Sequence, residues 1–250
     1  MLTEERHRRI LDHLLVQGRV LSSDLASEFR VSPDTVRRDL RELDEAGLLR
    51  RVHGGALPRR GDTDPVPVRA RRAPEAKAQV ARRAAQIVSD GQVVLFDGGT
   101  TTVEVARALP ERLHATVVTN SLPIAIALAD RAGIEVRVVG GRVRDRSLVT
   151  VGAAAVEALS SIRADLLFLG VCGLHPEIGI SVEDAEECEG KRAMIAGAAE
   201  VVALADHDKL GTALPFVVAP LTAVTTLVTD AAEEQSLGPY RALGIEVIQA

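Results

Sequence analysis

Aromatic residues are scarce in this 250-residue sequence, which contains no Trp, one Tyr and four Phe. Proteins that bind single strands or RNA loops stack the bases on exposed aromatic rings. So few rings leave little from which to build such a surface. If the protein binds a nucleic acid, we therefore expect duplex DNA.

Cysteines and long apolar runs are also rare. Cys172 and Cys188 are the two cysteines, too few for a disulfide framework, and we expect each to be a small buried apolar residue. A membrane-spanning helix needs about 18 apolar residues in a row, and no apolar run reaches that length. The charged N-terminal stretch does not have the layout of a signal peptide. These features predict a cytoplasmic protein with no membrane partner.

Acidic residues outnumber basic ones, and the net charge is −5. The excess is uneven: residues 1–84 hold 18 Lys and Arg against 13 Asp and Glu, whereas residues 85–250 hold 12 against 22. Positive charge attracts DNA phosphates, so an interface with DNA is expected in the N-terminal third.

A helix with two different faces is predicted just after Val31. Ser32 is a good N-cap, and Pro33 suits the first helical position, where its missing N–H costs nothing. Val36, Leu40 and Leu43 have the i, i+4, i+7 spacing of one buried stripe. The outward-facing residues are Pro33, Asp34, Thr35, Arg37, Arg38 and Arg41.

Such a helix can enter the DNA major groove, where Arg binds guanine edges or phosphates. The alternative is an amphipathic surface helix with solvated charges. The segments that precede this predicted helix favour DNA binding. A supporting helix is predicted over 5–16, and a second helix, capped by Ser22 or Ser23, ends two residues before Ser32.

A basic strand pair is predicted after this helix. Gly47 is expected to stop the helix, and Leu48 to Val52 with the Gly54-Gly55 turn predicts a β-hairpin. Three helices followed by a basic hairpin are typical of a winged helix-turn-helix. The predicted DNA-binding residues are Ser22, Ser32, Pro33, Asp34, Thr35, Arg37, Arg38, Arg41, Arg50, Arg51 and His53.

The domain boundaries follow from composition. Residues 1–57 form the predicted DNA-binding domain, and residues 58–72, which are rich in proline and poor in apolar residues, form a linker. Residues 73–250 alternate helices with fully apolar strands, which is typical of a mostly parallel sheet covered on both faces. Ligands bind such sheets at the carboxyl ends of the strands.

Polar residues and glycines gather at four of those predicted strand ends. Asp97-Gly98-Gly99-Thr100-Thr101-Thr102 offers backbone N–H groups and hydroxyls to an anion. It matches neither a Walker A loop nor a GxGxxG fingerprint, so no nucleotide cofactor is predicted. The other ends carry Thr119-Asn120-Ser121, Gly140-Gly141 and Asp206 to Lys209. The combination predicts a small, anionic, hydroxylated ligand.

Lysine is used three times among 30 basic residues, at Lys77, Lys191 and Lys209. All three lie at or near the polar loops of the second domain. Lys provides a compact charge for a phosphate, although chance placement on solvated helix faces would give the same pattern.

These motifs resemble the DeoR family of bacterial transcriptional regulators. The resemblance rests on Val31-Ser32 with Thr35 to Leu40, on the Gly47 to Ala56 segment, and on the Asp97 to Thr101 and Asp206 to Lys209 segments. It implies a sensor domain similar to ribose-5-phosphate isomerase after the winged helix. It also implies that the loop from Asp97 to Thr102, the Gly-Thr loop, holds a phosphate with Lys77 and Lys209 as counter-charges. Asn120, Gly141 and Lys191 would then lie near a sugar.

The predicted function is a repressor of carbohydrate-metabolism genes that a phosphorylated sugar or related metabolite releases from operator DNA. A homodimer or homotetramer is expected because such proteins usually bind two half-sites. The effector-binding residues are predicted to be Lys77, Asp97, Gly98, Gly99, Thr100, Thr101, Thr102, Asn120, Gly140, Gly141, Lys191 and Lys209.

Two other functions are weaker. A sugar-phosphate isomerase would need a general base, which the acidic run from Glu183 to Glu189 could supply, although acidic residues are also common at helix starts. A zinc site would use Cys172 and His175, but no second ligand pair follows. We expect no enzyme activity, metal or cofactor.

Overall fold

Two units make up the chain. The computed structural model describes residues 2–17, 20–45, 48–52, 54–58, 65–231 and 233–250. The chain divides into Met1–Gly61 and Asp62–Ala250. Among the described residues, no helix combines the length and the apolar character needed to cross a bilayer.

The first unit is a winged helix. Its helices are α1 (Thr3–Gln17), α2 (Ser22–Phe29) and α3 (Pro33–Glu45), and its strands are β1 (Val20–Leu21), β2 (Leu49–Val52) and β3 (Gly55–Pro58). The strands form an antiparallel sheet in the order β1-β3-β2. Ile10, Phe29 and Leu40 are buried in one core with the other apolar residues of the three helices. The predicted helices and hairpin are confirmed.

The helix caps follow the prediction at α3 but not at α2. The hydroxyl oxygen of Ser32 accepts a hydrogen bond from the Thr35 N–H at 3.1 Å, which confirms the predicted N-cap. The prediction of Ser22 or Ser23 as the α2 cap was wrong. Leu21 is the N-cap residue, because the Ser22 N–H donates to the Gly54 carbonyl at 2.8 Å and ties the helix start to the wing. Gly47 lies outside the described residues.

The second unit is built on a parallel sheet of seven strands. They are β4 (Val93–Phe96), β5 (Ala115–Thr119), β6 (Ile134–Val138), β9 (Ala164–Gly170), β12 (Ala198–Ala205), β14 (Thr226–Thr229) and β15 (Glu246–Gln249). The helices are α4 (Val66–Ala70), α5 (Pro74–Ala85), α6 (Thr100–Ala108), α7 (Leu122–Leu128), α8 (Ala153–Ser160), α9 (Ala185–Gly197) and α10 (Glu234–Ala242). One face packs against α5, α6 and α7, and the other against α8 and α9.

The strand order places the site. The sheet runs β15-β14-β12-β9-β4-β5-β6, and every neighbouring pair is parallel. The chain moves from β4 towards β6 and then returns to the other side of β4 at β9. A crevice opens outside the carboxyl ends of the strands where the direction reverses. The ends of β4 and β9 therefore flank the expected ligand position.

The described residues differ from the sequence predictions in three further places. Helix α6 begins at Thr100, so the threonines that were expected in the turn after the strand form the first turn of the helix. The predicted linker contains helix α4. Two small antiparallel sheets were not predicted: β7 (Arg142–Arg144) pairs with β8 (Val149–Val151), and β10 (Gly173–His175), β11 (Gly179–Val182) and β13 (Phe216–Ala219) form the other.

Candidate DNA interface and ligand site

Helix α3 has one buried and one exposed face. Val36, Leu40 and Leu43 are buried in the core of the first unit. The exposed side chains on the other face are Ser32, Pro33, Asp34, Arg37, Arg38 and Arg41, with Thr35 half-buried at the helix start. An Arg37–Asp34 ion pair of 2.6 Å lies on this face. The arrangement presents arginines and the helix N-terminus to solvent, as a helix that enters a major groove requires.

Asp39 is a residue of this helix that sequence reasoning missed. It is fully buried, and its two carboxylate oxygens accept hydrogen bonds from Arg6 Nε at 2.5 Å and Arg6 Nη2 at 2.7 Å. The hydrogen bonds to Asp39 raise the pKa of Arg6 more than its burial lowers it. Asp39 directly precedes Leu40 on the buried stripe, and that position was the available signal. The pair holds α3 against α1.

The wing is described in part. Arg51 lies on β2 with an exposed side chain, opposite Ala56 of β3. Arg50 also lies on β2, but its side chain is outside the described residues, as is the whole of His53. Ser22, at the start of α2, is half-buried.

At the carboxyl end of β4, the Gly-Thr turn is tightly packed. A side chain at Gly98 would lie 2.1 Å from Cγ1 of Val149, and one at Gly170 would lie 2.6 Å from the Gly98 carbonyl oxygen. These glycines therefore allow neighbouring backbone segments to approach. The Thr102 hydroxyl donates to the Gly99 carbonyl at 2.8 Å and is used inside the turn. Thr100 and Thr101 are also buried in the first turn of α6.

A buried ion pair joins this turn to α9. The Lys191 ammonium donates to Asp97 Oδ2 and, at 2.8 Å, to the carbonyl oxygen of Gly170. Asp97 Oδ2 also accepts from the Gly170 N–H at 3.0 Å. Burial raises the pKa of Asp97, and attraction to Lys191 opposes this without cancelling it. Burial lowers the pKa of Lys191, but Asp97 and its other neighbours raise it above the ordinary value.

Buried polar atoms for which the described residues offer no partner lie at the ends of β5 and β12, the strands on either side of β4 and β9. After β5, the Asn120 amide donates to the Thr150 carbonyl at 3.2 Å, whereas Asn120 Oδ1 and Ser121 Oγ are buried. After β12, Asp206 Oδ1 is buried as well. No described residue gives these three atoms a hydrogen-bond partner. Buried polar atoms are rarely left unpaired, so each of them requires an explanation such as a bound ligand or water.

The three lysines have different environments. Lys191 is buried in the ion pair just described. Lys77 is buried too, and its ammonium donates to the carbonyl oxygens of Arg69, at 2.6 Å, and of Arg72. Lys209 is more exposed and lies 3.2 Å from Asp206 Oδ2. Lys209 is thus the lysine that combines accessibility with a position at a strand end.

The predicted glycine pair after β6 has two distinct surroundings. Gly140 has open space where a side chain would begin. At Gly141, whose φ is +146°, a side chain would come within 2.9 Å of the Val151 carbonyl oxygen. Gly141 is therefore required by the close approach of β8.

Cys172 lies two residues after the end of β9. Burial raises the pKa of its thiol, while the positive charges of Lys191, Lys209 and Arg69 lower it and the charge of Glu187 raises it. Arg69 was not among the predicted site residues, because the sequence placed it in a linker.

The acidic run before α9 is engaged in helix capping and ion pairs. Asp184 Oδ1 accepts hydrogen bonds from the N–H groups of Glu186 and Glu187, each at 3.1 Å. Arg144 lies 2.7 Å from Asp184 and 3.2 Å from Glu187. This supports the interpretation of the run as a charged helix start rather than a source of a general base.

Potential metal ligands are engaged in other contacts. His175 Nδ1 accepts hydrogen bonds from backbone N–H groups at 3.2 and 3.3 Å. Within the described part of the chain, His7, Asp39 and Glu42 form a group that could hold a metal ion. The Arg6 guanidinium, however, already occupies both carboxylate oxygens of Asp39.

Two family models match the sequence. The DeoR-like helix-turn-helix domain matches residues 6–58, and the DeoR C terminal sensor domain matches residues 72–231. Together with the observed elements, these matches confirm the predicted fold class, a winged helix-turn-helix followed by a Rossmann-like α/β sensor domain.

Several curated relatives match over nearly their full length. The HTH-type transcriptional repressor GlcR of Bacillus subtilis (strain 168) is 36% identical over 238 residues, which cover 94% of this chain and 92% of the relative. The HTH-type transcriptional regulator GlpR of Haloferax volcanii is 39% identical, covering 92% of this chain and 91% of the relative. The glycerol-3-phosphate regulon repressor of Escherichia coli (strain K12) is 33% identical and covers 92% of each chain.

Among solved structures, similar chains include the full-length sorbitol operon regulator SorC from Klebsiella pneumoniae. It has a TM-score of 0.46 and 12% identity and covers 94% of this chain and 97% of that one. Ribose 5-phosphate isomerase A from Methanocaldococcus jannaschii has a TM-score of 0.39 and 20% identity, covering 57% and 55%. The family models and the curated relatives establish that the chain belongs to the DeoR family and is a DNA-binding transcriptional regulator rather than an enzyme.

Proposed function

We propose that the protein represses carbohydrate-metabolism genes in the cytoplasm and leaves operator DNA when a phosphorylated sugar or related metabolite binds its second unit. The ligand would bind one conformational state of the regulator better than the operator-competent state and so shift the population between them.

The observation that carries the ligand assignment is the set of buried polar atoms at the strand ends to which no residue in the described part of the chain gives a partner. Asn120 Oδ1, Ser121 Oγ and Asp206 Oδ1 can accept hydrogen bonds from sugar hydroxyls. Lys209 can neutralise a phosphate, and the α6 N-terminus, with Thr100 and Thr101, favours an anion. Asp97, Lys191 and Lys77 would then support the site, because their charged groups are engaged within the protein.

The DNA side of the proposal rests on the exposed face of α3. We assign base contacts to Arg37 or Arg38 and phosphate contacts to Arg41 and Arg51, all of which are exposed. Two half-sites about one helical turn apart, or a multiple of that spacing, require two copies of the winged helix. A homodimer or homotetramer is therefore part of the proposal.

The test is a fluorescence-anisotropy titration of the purified full chain against duplex DNA from upstream of its own gene. The titration is repeated with glucose 6-phosphate, fructose 6-phosphate, fructose 1-phosphate and glycerol 3-phosphate. Glucose, fructose, glycerol and inorganic phosphate serve as matched controls. We expect one phosphorylated compound to release the protein at concentrations where its unphosphorylated counterpart and inorganic phosphate do not.

The outcomes separate the two parts of the proposal. Specific DNA binding that responds to none of the compounds would leave the operator contacts standing and remove the sugar-phosphate assignment. Binding that does not distinguish the upstream duplex from scrambled DNA would remove the operator assignment as well.

A further inference from the structure

Helix α4 is attached to the second unit at both ends, although its sequence suggested a linker. The Val66 N–H donates to the Arg146 carbonyl at 2.9 Å. At the other end, Lys77 of α5 donates to the carbonyl oxygens of Arg69 and Arg72. The buried Lys77 therefore caps the C-terminus of α4. A cation at this end of a helix also interacts favourably with the helix dipole.

Arg69 of α4 has a half-buried side chain. Its Nε atom is buried, and no described residue gives it a hydrogen-bond partner. Burial and Glu187 raise the pKa of Cys172, whereas the charge of Arg69, like those of Lys191 and Lys209, lowers it. α4 also contacts α6, whose first turn carries Thr100 and Thr101.

The chemistry of these groups indicates an anion. A buried guanidinium nitrogen without an acceptor is unfavourable, and the planar guanidinium matches two oxygens of a phosphate or carboxylate. Lys191 already has Asp97 as its partner, whereas the Nε of Arg69 has no acceptor among the described residues. An anionic group bound beside α4 would supply one.

We propose that Arg69 binds the anionic group of the effector and that α4 is the element through which ligand binding reaches the DNA-binding unit. The inference rests on the proposed function and adds a residue and a coupling element to it. The first unit ends at Gly61 and α4 begins at Val66, so four residues separate them. Ligand contacts to α4 would therefore act within a few residues of the first unit.

The first test measures ligand-induced release in Arg69→Ala, with Arg71→Ala as the matched control. Arg71 follows α4 directly and is exposed, so its removal takes away the same charge without a buried group. For each variant, the anisotropy titration is run first without compound and then with the compound that releases the wild type. We expect release of Arg69→Ala to require at least about tenfold more compound than release of the wild type, because one charged hydrogen bond is lost. Arg71→Ala should be released at the wild-type concentration.

Arg69→Lys keeps the positive charge but loses the planar guanidinium group. It also provides a second variant to test if Arg69→Ala does not fold. We expect an intermediate requirement for the compound. Thermal unfolding midpoints check that each variant folds. If a folded Arg69→Ala or, where that variant does not fold, Arg69→Lys is released at the wild-type concentration, this inference is overturned while the proposed function stands. If the wild type responds to no compound, both fail.

Hydrogen exchange tests the role of α4 directly. In the wild type, the effective compound is expected to slow amide exchange at Val66, Val68, residue 69 and Ala70. In Arg69→Ala this protection is expected to be lost. Wild-type α4 amides that exchange at the same rate with and without the compound would overturn the coupling.

Discussion

Each unit of the chain contains a buried ion pair, and the two pairs differ in what surrounds them. In the first unit, Arg6 and Asp39 satisfy each other through two parallel hydrogen bonds in an apolar core. In the second unit, Lys191 pairs with Asp97 at strand ends, where nearby buried atoms such as Asn120 Oδ1 have no partner among the described residues.

The difference separates a pair that positions a helix from a pair that borders a ligand site. We call the Arg6–Asp39 pair closed because both carboxylate oxygens accept hydrogen bonds from Arg6. Removing either partner exposes the other to the full cost of burial. The Lys191–Asp97 pair lies near buried polar atoms that have no partner among the described residues. A ligand bound there would share the polar environment of the pair. Two experiments test this distinction, and two more examine exposed charged groups in each unit.

The largest effect is expected from Asp39→Ala, which leaves Arg6 buried without a carboxylate. Breaking a buried pair in this way costs roughly 3–5 kcal/mol of unfolding free energy. Urea denaturation, with hydrogen exchange of the α3 amides as the readout, measures the loss of unfolding free energy. The double variant Arg6→Met with Asp39→Leu is the control and should recover most of the stability. An Asp39→Ala protein as stable as the wild type would refute the closed-pair interpretation.

Lys191→Met should cost less, about 1–3 kcal/mol at neutral pH, because the remaining Asp97 carboxyl can take up a proton. Burial already raises the pKa of Asp97, and loss of Lys191 raises it further. An acid with a raised folded-state pKa contributes stability at low pH that is lost as the pH rises through that pKa. Urea denaturation at pH 5 and pH 8 should therefore show a smaller deficit, relative to the wild type, at pH 5.

Two results would contradict this. An equal deficit at both pH values would mean that Asp97 stays charged without Lys191. A deficit as large as that of Asp39→Ala would remove the contrast between the two pairs.

The exposed arginines of α3 should affect DNA binding rather than stability. If Arg38 contacts a guanine, Arg38→Ala should weaken operator binding by about 1–3 kcal/mol and relax the preference at one base pair. Anisotropy with a set of single-base operator variants measures both effects, and Arg112→Ala, an exposed arginine of the second unit, is the control. A uniform loss across all variants would reassign Arg38 to a phosphate.

The smallest effect concerns an exposed pair. His207 Nδ1 lies 2.9 Å from Asp230 Oδ2, and this hydrogen bond raises the pKa of His207. Burial lowers the pKa, and the charge of Asp208 adds to the increase. Because the folded-state pKa is raised, the stabilisation is fully present below the ordinary value and is lost as the pH rises through the folded-state value. Proton NMR should show that Asp230→Asn lowers this pKa, and an unchanged titration would contradict the assignment.

Much of the first unit could be predicted because its signals are local. The Ser32 cap, the first-turn proline and the Val36, Leu40 and Leu43 stripe lie within twelve residues and were confirmed. The buried Asp39 was missed for a related reason. Its partner Arg6 is 33 positions away, so the position of Asp39 beside Leu40 could not by itself reveal the ion pair.

The same limit applies to the second unit. Apolar runs identified the parallel strands, because strands buried on both faces leave a continuous signal. The short antiparallel strands β10, β11 and β13 were not predicted, since their pairing depends on contacts between distant segments. The Gly-Thr turn was recognised, but its division into packing glycines and helical threonines required the neighbouring strands.

The sequence by itself thus determined the winged helix, the alternating α/β unit and the family, because periodicity, caps and motif spacing are properties of neighbouring residues. Only the tertiary structure decided which polar groups are satisfied. Asp97 and Lys191 are 94 positions apart, and helix α4, in a predicted linker, is attached through the Val66 N–H to the carbonyl of Arg146. Burial and hydrogen bonding between such distant residues depend on how the chain folds back on itself, which local patterns do not encode.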